Sequence, residues 1–139
     1  DFAYGRHDWI NILRHGGFHM KIARSTEIDY LSINKVEGEP MTGLASVKPL
    51  LEGENMTILE MNYHPWAISP MHLHNHETLL YVIEGEIQVT VGAEKFVLGA
   101  GDACHQPEGE KHNVEALKES TFLEIKSPAP PLEQFLGTS

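Results

Sequence analysis

Apolar and polar residues alternate along much of the chain with a period of two, the signature of half-buried β-strands. "TILEMNY" (57–63) sets Leu59, Met61 and Tyr63 on one face. "EIQVTV" (86–91) sets Ile87, Val89 and Val91 against Glu86, Gln88 and Thr90. Gly92-Ala93 offers a tight turn into "EKFVL", so residues 86–98 read as a hairpin. "GAGDACHQPEGEKHN" has turn residues at both ends around a short strand, and "STFLEIKS" closes the set. "PAPPLEQFL" reads as a Pro-rich exit followed by a helical turn. No long helical period runs through residues 40–127. Many short strands jointed at Gly and Pro imply an all-β fold, an antiparallel sandwich or barrel.

The start of the chain departs from this pattern. Residues 1–19 read as an N-terminal arm, and 20–139 as a single domain. Two readings of the arm stand side by side. "RHGGFHM" resembles an added sequence ahead of a native start at Met20; alternatively Trp9, Ile12 and Leu13 form a short helical apolar stripe of a native arm.

The chain has 139 residues, 22% charged and 41% hydrophobic, enough for one core. A formal net charge of −10 argues against a nucleic-acid surface, which needs clustered Lys and Arg. No apolar run reaches the roughly 18 residues of a membrane span, and the N-terminus lacks the pattern of a signal peptide. With one cysteine, Cys104, no internal disulfide forms, and a reducing, cytoplasmic setting is expected. Cys104 itself reads as a small buried hydrophobe.

"MHLHNHETLLYVIEGE" (71–86) carries the chemistry. His72 and His74 are two apart, so on a strand both imidazoles point into one interior. His112 follows the turn "PEGEK", and the 86–98 hairpin folds the chain back to bring it near. Neutral imidazoles in this number suit one divalent transition metal: Fe, Zn, Ni, Mn or Cu. His76 reads as a surface or pocket-rim residue. Glu77 reads as a solvated charge, an irregular metal ligand or an acid/base group. His105 and Gln106 precede Pro107 on one strand, so one of them faces the pocket, and His105 is a candidate general base. Tyr63, Trp66 and Phe122 read as core or rim aromatics.

"HLHNHETLLYVIEG" and "GDACHQPEGEKH" resemble the two signature motifs of the cupins, small antiparallel jelly-roll barrels. His72, His74 and Gly85 match the first motif. Gly101, Pro107, Gly109 and His112 match the second at its spacings. The resemblance covers roughly residues 40–127 and implies a jelly-roll barrel binding a metal at His72, His74 and His112. Three positions depart from the pattern. Thr78 stands where a Glu or Gln ligand is usual, Trp66 where a glycine precedes the first histidine, and Ala116 where an Asn often ends the second motif. The fourth metal position is therefore open to Thr78, Glu77, His76 or water. Thr78 reads as a β-branched strand residue whose hydroxyl bonds a metal-bound water.

Three neutral ligands leave more charge on the metal than a set with a carboxylate, which favours an anionic substrate. The sequence also resembles small single-domain cupins with "HxHxHEQ", a group that includes a pectin-degradation protein opening or tautomerising unsaturated uronates. That resemblance implies a metal-dependent isomerase, ring-opening enzyme or lyase on a sugar acid or keto acid, with Glu77 or His105 moving the proton. A three-histidine Fe(II) dioxygenase and a non-catalytic ligand-binding barrel are the alternatives. Small cupins commonly pair through sheet edges, so a homodimer is expected, with the N-terminal stretch or residues 24–35 as a swapped strand.

Overall fold

The computed structural model describes residues 12–15 and 18–131. Two strands, β1 (Ile12–His15) and β2 (Phe18–Lys21), pair as an antiparallel hairpin. Ile12 and Leu13 thus lie in a strand, not on a helical stripe. The Gly16-Gly17 dipeptide between the strands is a hairpin signal that outweighs so short an apolar spacing. Trp9 and the helical turn expected after Pro131 lie outside the described residues.

A 3-10 turn at Ser25–Glu27 leads into β3 (Leu31–Ser32), β4 (Lys35–Val36) and β5 (Glu39–Pro40). Long strands follow: β6 (Ala45–Glu52), β7 (Thr57–Tyr63), β8 (Glu77–Glu84), β9 (Glu86–Val91) and β10 (Glu94–Gly99). β11 (Ala103–Gln106), β12 (His112–Ala116) and β13 (Ser120–Ser127) complete the set. A six-stranded sheet has the order β11-β8-β13-β7-β6-β3 and a three-stranded sheet the order β10-β9-β12. All pairings are antiparallel, and the result is the all-β jelly-roll barrel that the strand pattern implies. β9 and β10 form the expected hairpin. β3 pairs with β6 of its own chain, Leu31 opposite Val47. No helix among the described residues is long and apolar enough to cross a membrane.

The core lies between the sheets. Leu59, Met61 and Tyr63 bury the inner face of β7, as their alternation requires. Val47, Leu80, Ile87, Val89 and Phe122 meet them, with Phe122 edge-on to Tyr63 at 5.0 Å between ring centroids. Gly85 makes the β8–β9 joint possible. Its φ is +98°, and a Cβ there would stand 2.3 Å from Ser120 Oγ and 2.5 Å from Glu119 O. The motif glycine is thus a packing requirement.

The barrel interior changes character along β13. Phe122 belongs to the apolar core, but Glu124 and Lys126, on the same inward face, are also buried. Lys126 lies opposite Thr78 of β8. That polar end of the barrel is where the histidines gather.

Candidate metal centre

Residues 71–76 pass from the small sheet to the large one. At the start of that passage His72 and His112 face each other across a two-way backbone bridge. His72 N–H donates to His112 O at 3.0 Å, and His112 N–H to His72 O at 2.8 Å. Directly opposed residues of an antiparallel pair project on the same face. His74 lies two residues on, its carbonyl accepting from Gly109 N–H at 2.9 Å, so the second motif's turn is tied to the first motif's strand. Ring centroids are 4.4 Å apart for His72 and His112, 4.5 Å for His72 and His74, and 5.0 Å for His74 and His112. One ligand atom from each of the three lies within 4.8 Å of the others.

The outer nitrogens fix the tautomers. His72 Nδ1 meets Pro70 O, and His112 Nδ1 meets Glu110 O at 3.1 Å. A carbonyl only accepts, so both Nδ1 atoms carry the proton and donate. His74 Nδ1 donates to the Glu37 carboxylate at 2.7 Å. In all three rings Nε2 is then the nitrogen with a lone pair to offer. Metal-bound histidines are held in just this way, by an oxygen acceptor behind the ring.

Glu37 is a residue that sequence reasoning missed. It sits in the two-residue turn between β4 and β5 with φ +52°, followed by Gly38 at +83°. Paired positive angles favour Asn, Asp or Gly, so a glutamate there carries backbone strain. Its carboxylate reaches His74 from 37 residues away. The turn dipeptide Glu37-Gly38 was the available signal; nothing in its spacing pointed to His74.

Burial sets the protonation states. It drives His72 down to about 4 and holds His74 and His112 well below the usual 6.5, with the nearby Lys126 ammonium pushing the same way. The rings are neutral at physiological pH, the form that binds metal. Burial pushes the Glu37 carboxyl up, against a smaller opposing pull from Lys126.

A narrow pocket opens on the three rings. Glu124, Lys126, Tyr63 and Ser69 share its wall with apolar Val36, Met61 and Val114. Lys126 Nζ lies 3.1 Å from a Glu124 carboxylate oxygen and donates to Thr78 Oγ1 at 3.0 Å. Both charged residues are buried and both were missed. Thr78 is fully buried and faces inward, but its hydroxyl accepts from Lys126.

The structure does not bring the two expected acid/base residues to this pocket. Glu77 and His105 lie on the outer faces of β8 and β11, where Glu77 Oε1 and His105 Nε2 bond each other at 2.9 Å in solvent. Thr78 and Gln106 take the inward positions, and alternation turns their neighbours out. His76 also departs from the position its spacing implies. It is buried, not on the rim, and stacks on His74 with centroids 4.1 Å apart. Neither of its ring nitrogens has a hydrogen-bond partner, nor does the buried amide of Gln106. Burial pushes His76 down to about 3. Cys104 packs half-buried against the core, its thiol pushed up to about 11 by burial. Tyr63 and Phe122 are core, whereas Trp66 is exposed.

Three neutral imidazoles with their back nitrogens anchored, beside a buried acid and base, fit a divalent transition metal. Barrel and donor set together have the arrangement that the cupin resemblance implies, with three residues that could hold a metal ion. Residues 59–125 match the family Cupin_2, a cupin domain. It is similar to oxalate decarboxylase OxdC of Bacillus subtilis strain 168, 32% identical over 91 residues, which cover 62% of this chain and 24% of that protein. The chain thus spans about a quarter of the length of that curated relative. Among solved structures, KdgF from Halomonas sp. shares the fold with a TM-score of 0.70 at 23% identity, over 84% of this chain and 99% of that one. A predicted oxalate decarboxylase from Thermotoga maritima does so with a TM-score of 0.69 at 23% identity, over 77% and 98%.

Proposed function

We propose that the protein is a metal-dependent enzyme acting on a small oxygenated anion, a sugar acid or keto acid, by isomerisation, ring opening or elimination. One observation carries this reading: His72, His74 and His112 share a pocket with the buried carboxylate of Glu124. The three histidines would hold Fe, Zn, Ni, Mn or Cu. Such an ion supplies Lewis acidity to a substrate oxygen. The chain's own residues do the rest. Glu124 takes a proton from the substrate and returns it at another atom, a role for which Glu77 and His105 lie on the wrong face. Val36, Met61 and Val114 limit water around that transfer. The curated relative is named for acting on oxalate, a small carboxylate, which supports the substrate class. We read the setting as cytoplasmic, with Cys104 as a thiol.

Metal analysis of purified protein tests the centre. About one ion per chain is expected, lost together with turnover of a uronate and keto-acid panel in His112→Ala. A His112→Ala protein that keeps both ends this reading. A second reading, an Fe(II) dioxygenase, is favoured by the absence of a carboxylate from the three-residue cluster among the described residues. Oxygen uptake that requires added Fe(II) would select it. A homodimer is supported by the outer face of β8, where Leu79, Tyr81 and Ile83 are exposed. Sedimentation as a clean monomer at micromolar concentration would overturn that.

A further inference from the structure

The inner wall of the barrel at position 78 holds a hydroxyl already engaged by an ammonium. Lys126 Nζ donates to Thr78 Oγ1 at 3.0 Å and lies 3.1 Å from Glu124. Lys126 is 1% exposed and lines the same pocket as His72, His74 and His112. A buried cation beside a metal site is costly, because two like charges in a low-dielectric space repel. Glu124 offsets one positive charge, and the Glu37 carboxylate behind His74 offsets a second. With the three imidazoles neutral, a divalent ion still leaves the site with one uncompensated positive charge. No carboxylate belongs to the histidine cluster among the described residues, so the compensating charge has to arrive with the ligand.

We propose that Lys126 selects the pocket's occupant: a carboxylate anion whose charge is shared between the Lys126 ammonium and the histidine centre. This rests on the metal-dependent reading above and assigns the recognition of its substrate's carboxylate to Lys126. Lys126 does two opposing things. It weakens the hold of the site on a bare cation and strengthens its hold on an anion. Glu124 acts with the opposite sign on both. A lysine that merely braced Thr78 would move neither in this paired way.

The test compares wild type, Lys126→Met and Glu124→Gln for binding of glycolate and of its uncharged isostere glycolamide, by calorimetry at matched ionic strength. Zinc affinity is measured beside it by chelator competition. Wild-type protein loaded with zinc should prefer glycolate by about tenfold or more, the scale of a buried charge-assisted hydrogen bond. Lys126→Met should lose most of that preference and bind zinc more tightly. Glu124→Gln should keep or raise the preference and bind zinc more weakly. Should Lys126→Met leave Glu124 too poorly paired to fold, Lys126→Met/Glu124→Gln removes both charges, and the same loss of preference is expected. A wild-type protein indifferent to the charge, or a Lys126 variant whose preference stays within about twofold of wild type, overturns the proposal. A chain that takes up no metal defeats the metal reading instead. In that case the ratio measured without metal, weaker but still lost in Lys126→Met, decides Lys126 by itself.

Discussion

Two histidine–carboxylate pairs of nearly equal length sit on opposite sides of the barrel wall. His74–Glu37 spans 2.7 Å and His105–Glu77 spans 2.9 Å. The side chains of the first pair are 1% and 29% exposed, those of the second 50% and 57%. The contact is the same and the surroundings differ, so burial decides what each pair does. Inside, His74 has lost its hydration and stays neutral, and the glutamate fixes which nitrogen faces the other two rings. Outside, water and salt screen the pair, which contributes about 0–1 kcal/mol at most.

Glu37→Gln gives the largest expected effect on this contrast. The amide can still accept a hydrogen bond but presents no charge, and its NH2 can turn toward the ring. Metal affinity should fall by about 10–100-fold, measured by chelator competition. Glu77→Gln should leave affinity unchanged. Equal losses in the two variants would erase the distinction between inner and outer pair.

Acid gives the next effect. His72 has its folded value lowered to about 4 by burial, against the usual 6.5. Below pH 6.5 the unfolded chain takes up a proton that the folded chain refuses. Stability is therefore complete above that pH and is lost progressively as pH falls from 6.5 toward 4. Urea melts of metal-free protein should show this decline, and His72→Gln should make it shallower without abolishing it, because burial lowers His74, His76 and His112 as well. A wild-type protein equally stable at pH 7 and pH 4.5 would mean that the histidine end of the barrel is wetter than its burial indicates.

Backbone strain gives a smaller one. Trp66 has φ +72° while its side chain is 64% exposed. A bulky residue in that region carries a cost of about 1–2 kcal/mol, and glycine does not. Trp66→Gly should therefore raise stability by about 1 kcal/mol, partly offset by the flexibility glycine gives the unfolded chain. The cupin resemblance already marked this position as a glycine, and the angle supplies the reason. The smallest effect belongs to the outer pair: Glu77→Ala should shift stability by no more than about 0.5 kcal/mol.

The sequence made the strands and the three clustered histidines legible, for physical reasons that fail elsewhere. The period of two survives wherever one face is core, as in β7 and β9. His72, His74 and His112 were found because glycine and proline spacings fix the turns that bring them together. β13 shows the failure. Its inward face is Ser120, Phe122, Glu124 and Lys126, and its other face holds Leu123 and Ile125. Hydropathy alone places the charges outside, and only the register with β7 and β8 turns them in. Glu77 and His105 erred in the opposite sense: both are chemically apt, and both stand one residue from an inward position. The motif spacing to Gly85 leaves His76 at the rim, yet it follows His74 at the same interval of two and is buried. Glu37 could not be read at all, because a turn 37 residues distant carries no periodic signal.

The most direct test of the buried cluster as a metal centre is metal content measured in parallel on wild type, His74→Ala and His105→Ala, each stripped and reloaded with zinc. The account predicts about one ion per chain in wild type and in His105→Ala, and close to none in His74→Ala. Full metal content in His74→Ala, or its loss in His105→Ala, would contradict it.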